Sequence, residues 1–189
     1  MSATPPEHFE RLYREDPDPW GFTTSTYERA KYARTIRALG GRRYGRALEL
    51  GCSIGVMTEA LAPLCDELVA CDAAPTAVQA ARERVGGRPG IEIREAVLPH
   101  DLPDGPWDLV IASEVLYYLD AEGLDSLLDT LERDVRSGGV LLAVHWTRPT
   151  RTHPQQGDEV HDAILRRPGF LRTLAERRDP YRLDRFTRR

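Results

Sequence analysis

Residues 47–55 read ALELGCSIG, an apolar run that ends in a turn containing two glycines. The next segment, VMTEALAPLC (residues 56–65), has apolar residues at helical spacing, and ELVACD (residues 67–72) is a second apolar run. Apolar strands separated by a helix are typical of a parallel sheet that is covered on both faces. This stretch therefore predicts the first strand–helix–strand repeat of a doubly wound α/β fold.

The same alternation extends towards the C-terminus. Helical periodicity marks APTAVQAARERV (residues 74–85) and GLDSLLDTLERDV (residues 123–135), and we expect the residues 137–139 to end the second of these helices. Three further strands are predicted in GIEIRE, WDLVIAS and VLLAVHW. After Trp146 the pattern changes to a loop, one helix and two strands around Asp179 and Pro180, which predict an antiparallel edge hairpin.

Two helices, near residues 7–15 and 26–39, are predicted ahead of the first strand. We expect them and the connecting DPDPWGFTTS segment to cover the carboxyl ends of the strands as a lid. The alternative for the second helix is plain packing, with Tyr27, Ala30 and Arg34 against the sheet edge. The chain is then one domain with a helical lid (1–44), an α/β core (45–146) and a C-terminal helix and hairpin (147–189).

Composition narrows the class of partner. The chain has 189 residues and a formal net charge of −4, which favours one domain and argues against nucleic acid or a membrane as partner. The N-terminus does not resemble a signal peptide, and three cysteines without C-x-x-C spacing favour the cytoplasm. His153, Asp158 and His161 lack compact ligand spacing, so no metal site is expected. Composition leaves the oligomeric state open.

Two acidic residues flank the glycine turn in a way that selects the ligand. Ligands of open α/β sheets bind beyond the carboxyl ends of the strands, where the strand order reverses. Glu49 lies two residues before Gly51 and would repel the pyrophosphate of a dinucleotide, whose G-x-G-x-x-G spacing is also absent. Asp72 ends the second strand, where an acid can hold the two hydroxyls of a ribose. A phosphate-free adenosine with an amino acid tail fits both acids, and S-adenosylmethionine (SAM) is such a molecule.

Three blocks of sequence extend this interpretation to a family. FERLYREDPDPWGFTTSTYERAKYARTIRAL, WDLVIASEVLYYLD and HPQQGDEVHDAIL resemble the NodS-like (nodulation protein S) family of class I SAM-dependent methyltransferases. The resemblance covers nearly the whole chain. It implies a mostly parallel seven-stranded sheet without a large inserted domain. It also implies N-methylation, since the namesake methylates the free amino group on the terminal sugar of a chito-oligosaccharide.

The residues expected to border the adenine ring depart from the pattern of class I methyltransferases. Many class I enzymes have an acid after the third strand, where this chain has Ala96 and Val97. Adenine is then held by backbone groups and by Val97 and Leu98, or by Asp101. The residues expected to contact the cofactor or its product S-adenosylhomocysteine are Trp20, Arg29, Glu49, Gly51, Cys52, Ser53, Gly55, Asp72, Ala73, Val97, Leu98 and Ser113.

Two lid residues have specific expected roles. Trp20 can lie against the cofactor, exclude water and attract the sulfonium through its indole face. Arg29 can pair with the cofactor's carboxylate, because a guanidinium fork matches that group. Tyr27 and Lys31 lie at i and i+4 and can face one pocket.

The residues after the fourth and fifth strands are the predicted catalytic group. An amine acceptor must lose a proton, and a carboxylate or imidazole can accept it. His145 is one candidate base, although it is equally interpretable as a structural histidine. Glu114 can orient a cationic amine. Tyr117 and its neighbour Tyr118 are expected to point apart, with one of them lining the pocket, and either His153 or His161 can border the acceptor groove.

The predicted function is methylation of an amino group on a small-molecule or oligosaccharide acceptor. Three alternatives stay open at this point: O-methylation of a sugar or natural-product hydroxyl, a non-catalytic SAM-binding module, and a hydrolase. The hydrolase would use the GCSIG sequence as a nucleophile elbow at Ser53, with Asp108 and His145 completing a triad.

Overall fold

The computed structural model describes residues 2–189. Seven strands and six α-helices alternate along most of the chain. In order they are α1 (Pro6–Glu15), α2 (Thr26–Ala38), β1 (Tyr44–Leu50), α3 (Val56–Leu61), β2 (Cys65–Asp72), α4 (Pro75–Val85), β3 (Ile91–Glu95), β4 (Trp107–Ser113), α5 (Ala121–Asp134), β5 (Val135–Trp146), α6 (Gly157–Leu165), β6 (Phe170–Arg178) and β7 (Tyr181–Arg188).

The strands form one mixed sheet in the order β3-β2-β1-β4-β5-β7-β6. This is the class I methyltransferase arrangement, with antiparallel C-terminal strands, and it confirms the predicted fold class. The chain divides into two compact units, Pro5–Val97 (the N-terminal unit) and Leu98–Arg189 with residues 2–4 (the C-terminal unit). None of the helices within residues 2–189 is long and apolar enough to cross a membrane.

The N-terminal unit contains three parallel strands, with β2 paired to both β1 and β3. The buried face of α4 in this unit consists of small side chains, namely Ala77, Val78, Ala81 and Val85. Small residues let α4 approach closely, and a Cβ on Gly55 would lie 3.0 Å from the Ala81 Cα atom. The glycine turn after β1 is therefore held directly against α4.

The C-terminal unit contains parallel β4 and β5, followed by antiparallel β7 and β6. Asp120 caps the helix α5, because its side chain accepts the Gly123 N–H. The helix buries Leu124, Leu127, Leu128 and Leu131 on one face, in agreement with the predicted helical periodicity. The predicted hairpin around Asp179 and Pro180 is confirmed, with β6 at the edge and β7 inside the sheet.

One sequence prediction is wrong in this part of the fold. The residues 137–139 do not end α5, which stops at Asp134, but lie inside β5. Trp107 pairs with Val135 whereas Leu109 pairs with Val140, so these residues form a bulge. Glycine suits the bulge because Gly138 has φ of 78° and a Cβ on Gly139 would be 2.8 Å from the Arg136 carbonyl oxygen.

The buried face of α2 also differs from the packing alternative. The buried residues are Glu28, Lys31, Thr35 and Ala38 rather than Tyr27, Ala30 and Arg34. Lys31 Nζ lies 2.9 Å from a carboxylate oxygen of Glu28, and the pair is almost fully removed from water. A buried charge requires such a partner, which is why the polar face can be internal.

Candidate functional site

The turn after β1 is built from left-handed backbone. Gly51, Ser53 and Gly55 have φ of 71°, 51° and 79°. Glycine adopts this conformation freely, whereas for Ser53 it costs about 1 kcal/mol. The Ser53 N–H donates to Asp72 Oδ2 at 2.9 Å, which holds the strained residue in place. The turn and the acid after β2 therefore form one structural element.

Asp72 holds two turns at once and stays partly accessible. Its Oδ1 atom accepts the Ala74 N–H at 3.0 Å, at the start of α4. Burial raises the pKa of Asp72, and the backbone hydrogen bonds from Ala74, Ser53 and Ala73 oppose this without cancelling it. Each carboxylate oxygen can accept more than one hydrogen bond, so these contacts leave capacity for two ribose hydroxyls.

Glu49 is buried, with 2% of its surface exposed. Its Oε2 atom accepts the Thr58 hydroxyl of α3 at 2.6 Å. Burial raises the pKa of Glu49 to about 8, the Thr58 hydrogen bond opposes the shift, and the nearby Asp72 adds to it. A positively charged ligand group beside these two acids would reverse the shift, so this part of the unit favours a cationic ligand.

The helix α1 attaches to the same turn. The Tyr13 hydroxyl donates to Ser53 Oγ at 2.6 Å, and Tyr13 is buried. Glu10 accepts the Thr76 N–H and hydroxyl at 3.0 and 2.8 Å, and thereby caps the first turn of α4. These contacts place α1 at the carboxyl ends of β1 and β2.

An aromatic row continues from Tyr13 through the segment after α1. The rings of Tyr13 and Trp20 lie edge to face at 5.5 Å, Trp20 contacts Phe22 at 5.8 Å, and Phe22 stacks on Tyr32 at 5.9 Å. Asp18 accepts the N–H groups of Phe22 and Thr23 and so fixes the turn. Trp20 is 37% exposed, so part of its side chain is accessible.

The remaining expected cofactor residues lie in several environments. Cys52 is buried and its N–H donates to the Cys71 carbonyl oxygen at 2.9 Å. Ala73 and Val97 are partly buried in the N-terminal unit, as is Leu98 in the C-terminal unit. Arg29 is exposed, and its guanidinium lies 3.5 Å from the Thr24 carbonyl oxygen. Ser113 Oγ at the end of β4 is buried and has no hydrogen-bond partner within residues 2–189.

Glu114 is the strained residue of the C-terminal unit. It has φ of 56°, and its N–H donates to the Val144 carbonyl oxygen at 2.8 Å. Its Oε2 atom accepts the Tyr117 hydroxyl at 2.7 Å and the Trp146 N–H at 2.8 Å. This carboxylate is therefore fixed from both β4 and β5, as a group that orients a ligand must be.

Tyr117 and Tyr118 do not point apart. They lie in a short 3₁₀ turn, where their rings are 4.8 Å apart, and His153 stacks on Tyr117 at 4.2 Å. Burial raises the pKa of Tyr117 well above its ordinary value, and Glu114 adds to the shift, so the phenol stays a hydrogen-bond donor. The three rings and Glu114 form a compact group, which we call the acceptor-side cluster.

His145 is completely buried at the end of β5. Its Nε2 atom accepts the Leu116 N–H at 3.2 Å, and its Nδ1 atom lies 3.1 Å from His161 Nε2. A proton-accepting role for His145 would therefore require one of these bonds to open. His161 is buried behind His145, whereas His153 is partly exposed on the cluster.

The contacts of Asp108 and His145 do not match the catalytic triad that the hydrolase alternative requires. Asp108 pairs with Arg136 at 2.9 Å. His145 contacts the Leu116 N–H and His161, and it is His161 whose Nδ1 atom lies 2.9 Å from the Asp184 carboxylate. A hydrolytic histidine needs a direct acid partner and a free nitrogen for the serine.

Comparison with known proteins identifies the chain. The model of the nodulation protein S family matches residues 7–143. This chain belongs to the nodulation protein S family. Relatives include nodulation protein S of Bradyrhizobium diazoefficiens, 38% identical over 61% of this chain and 57% of the relative, and that of Rhizobium tropici, 31% identical over 72% and 59%. The chain thus spans somewhat more than half the length of these relatives.

Solved structures of other proteins show the same fold as this chain. The N-methyltransferase NodS from Bradyrhizobium japonicum WM9, in complex with S-adenosylhomocysteine, superposes with a TM-score of 0.85 at 24% identity, covering 96% of this chain and 97% of that one. A candidate methyltransferase from Pseudomonas syringae is 36% identical, with a TM-score of 0.76 over 87% of this chain and 100% of that one.

Tyr13→Phe is expected to weaken SAM binding about fivefold, which is the effect of one lost hydrogen bond on an equilibrium constant. The hydroxyl bond to Ser53 would be lost while the ring still packs on Trp20. Isothermal titration with SAM measures the change. Tyr44→Phe is the matched control, because it removes a buried hydroxyl bond to the Leu39 carbonyl oxygen at a distant place in the same unit. Equal affinities for the two variants would contradict the expectation that α1 supports SAM binding through the turn after β1.

Proposed function

We propose that this protein is a SAM-dependent N-methyltransferase. Its acceptor in this proposal is the amino group of a small polar molecule, namely an amino sugar or an oligosaccharide that carries one. The observation that carries the proposal is the element formed by Ser53, Asp72 and Glu49, in which a buried acid and a partly accessible acid flank a left-handed glycine turn. Family membership and the N-methyltransferase relative support the same reaction.

The two acids beside the turn after β1, Asp72 and Glu49, each have a defined role in this proposal. Asp72 accepts hydrogen bonds from the two ribose hydroxyls, in addition to those from Ser53 and Ala74. Burial raises the pKa of Glu49, but the positive charges of the amino acid tail and the sulfonium would favour its ionised form, which would then supply negative charge beside them. Trp20 excludes water, and its indole face attracts the positive charge. SAM supplies an electrophilic methyl group on a sulfonium sulfur.

The acceptor-side cluster has the properties that an amine requires. Glu114 carries a fixed carboxylate that can orient an ammonium and receive the proton lost before attack. Tyr117 keeps its proton and holds that carboxylate in one direction. The contribution of these residues is positioning, which is the main demand of an in-line methyl transfer.

The proposal extends to compartment and organisation. Cys52, Cys65 and Cys71 are free thiols, as is usual in a reducing compartment, so we place the protein in the cytoplasm. In this proposal the segment up to residue 44 serves as the lid, residues 45–146 as the cofactor-binding core and residues 147–189 as a C-terminal extension.

The test is release of S-adenosylhomocysteine from SAM with a panel of amino sugars, deacetylated chito-oligomers and small amines. The matched controls are the N-acetylated forms of the same sugars, which keep every hydroxyl and lack the basic nitrogen. We expect turnover with the free amines alone. Equal turnover with acetylated forms would instead indicate O-methylation, and SAM binding without turnover would indicate a non-catalytic binding module.

Glu114→Gln is expected to lower kcat/KM about 100-fold with the best amine while SAM affinity changes less than about twofold. Glutamine can still accept the Trp146 N–H, so the strained turn has a partner, but the negative charge is lost. Steady-state kinetics and titration with SAM provide the two measurements. A variant with near-normal kcat/KM would contradict the role of Glu114.

A further inference from the structure

A chain of hydrogen bonds crosses the core of the C-terminal unit. It runs from the Leu116 N–H to His145 Nε2 (3.2 Å), from His145 Nδ1 to His161 Nε2 (3.1 Å) and from His161 Nδ1 to Asp184 Oδ2 (2.9 Å). The two histidines are 0% exposed and Asp184 is 1% exposed. These hydrogen bonds join the segment after β4 with β5, α6 and β7.

Only one arrangement of protons makes all three bonds. A backbone N–H can only donate, so His145 Nε2 must be without a proton and His145 must carry its proton on Nδ1. That proton is donated to His161 Nε2, which leaves the His161 proton on Nδ1, facing Asp184. Both rings are therefore neutral, and protonation of either ring would place two donors against each other.

Asp184 fixes the far end of this arrangement as an acceptor. Arg182 Nε donates to Asp184 Oδ2 at 2.8 Å, and Arg182 Nη1 reaches Asp158 and Asp162 on α6 at 3.1 and 3.0 Å. Burial by itself would raise the pKa of Asp184, but the interactions with His161 and Arg182 lower it overall. The carboxylate therefore stays ionised and cannot return a proton to His161.

The near end of the chain lies inside the acceptor-side cluster. Leu116 lies between Glu114 and Tyr117, whose side chains hydrogen-bond to each other, and the Tyr117 ring contacts the His145 ring edge to face at 5.2 Å. The terminal donor is a backbone amide, which does not release its proton at working pH. This series of hydrogen bonds thus holds the backbone at Leu116 in place and does not conduct protons.

We propose that His161 and Asp184, acting through His145, are positioning residues that set the direction of Glu114 and Tyr117 by fixing the Leu116 amide. The catalytic consequence rests on the proposed methyl transfer. The arrangement of protons and the hold on Leu116 do not depend on that function, and they can be tested without an acceptor.

The first test uses the whole protein and no substrate. Long-range ¹H–¹⁵N NMR of the histidine rings is expected to show His145 and His161 as neutral rings with the proton on Nδ1. His161→Phe removes the acceptor that keeps the His145 proton on Nδ1, so His145 Nε2 is no longer fixed as the acceptor of the Leu116 N–H. Hydrogen exchange of the Leu116 amide is therefore expected to speed up about tenfold. A proton on His145 Nε2, or unchanged exchange at Leu116, would overturn the proposal.

The second test separates positioning from general stability. His161→Phe is expected to lower kcat about tenfold with SAM affinity almost unchanged, since the cofactor acids lie in the other unit. Ile164→Val, which trims another fully buried residue of α6, is the matched control and is expected to lower the melting temperature without changing kcat. Equal kcat loss in the two variants would overturn the proposal.

Asp184→Asn keeps the test valid if His161→Phe does not fold. An asparagine oxygen can replace Asp184 Oδ2 as acceptor, so the proton arrangement and most of kcat should persist, whereas Asp184→Leu should lose both. Similar hydrogen exchange at Leu116 in the two Asp184 variants would overturn the proposal that these hydrogen bonds hold the Leu116 amide. If the wild-type protein transfers no methyl group, the proposed function fails, while NMR and hydrogen exchange still decide the positioning claim.

Discussion

Asp72→Ala is expected to weaken SAM binding at least 100-fold, and below detection in most titrations. Two hydrogen bonds from ribose hydroxyls to a charged acceptor contribute about 3 kcal/mol or more together, and each 1.4 kcal/mol is a factor of ten in affinity. The variant also releases the Ser53 N–H, so the left-handed turn loses the contact that holds it. Isothermal titration with SAM and with S-adenosylhomocysteine gives the affinity directly.

The matched control is Asp66→Ala, at an exposed acid of the same strand that pairs with Arg43 at 2.6 Å. An exposed ion pair contributes about 0–1 kcal/mol, so this variant should bind SAM normally. Circular dichroism must show that Asp72→Ala is folded at the titration temperature. Folded Asp72→Ala with an affinity within about threefold of wild type would remove Asp72 from the site and, with it, the main physical argument for the cofactor.

The strand and helix pattern could be predicted because its signals are local. Apolar runs, helical periodicity and the glycine turn each lie within about a dozen residues, and the positions of Glu49 and Asp72 follow from the ends of two such runs. The hydrogen bond between the Ser53 N–H and Asp72 was not predicted, but it follows once β1 and β2 are known to be neighbours in the sheet. These features required no knowledge of the distant part of the chain.

The contacts that sequence reasoning missed join residues far apart in the chain. Glu10 reaches Thr76 across 66 positions, and His161 reaches Asp184 across 23. Each of these residue types is common on exposed surfaces, so its burial becomes evident only when the packing of α1 or α6 is known. The SGG segment at residues 137–139 is ambiguous for another reason, because glycine suits both a helix end and a bulge.

Gly157→Ala is expected to destabilise the protein by about 3 kcal/mol, or to lower the melting temperature by roughly 10 °C. A Cβ at this position would lie 2.1 Å from the Trp146 carbonyl oxygen and 3.1 Å from the His145 Cβ. Alanine favours a helix over glycine by about 1 kcal/mol, but α6 cannot realise this gain without moving away from β5. Thermal unfolding followed by circular dichroism measures the result.

Gly123→Ala is the control, in the first turn of α5. There a Cβ would meet first the Asp120 side-chain oxygen, at 3.1 Å, and a small shift of this oxygen would weaken the cap. The higher helix propensity of alanine offsets that loss, so the change in stability should stay within about 1 kcal/mol. Because Gly157 brings α6 onto the end of β5, Gly157→Ala should also disturb the contact between His145 and His161 and speed exchange at Leu116. The contrary result would be a Gly157→Ala protein with wild-type melting temperature and wild-type hydrogen exchange at Leu116. It would show that α6 can move away from β5 without cost. The close packing of α6 on β5 would then no longer explain how Glu114 and Tyr117 are held in position.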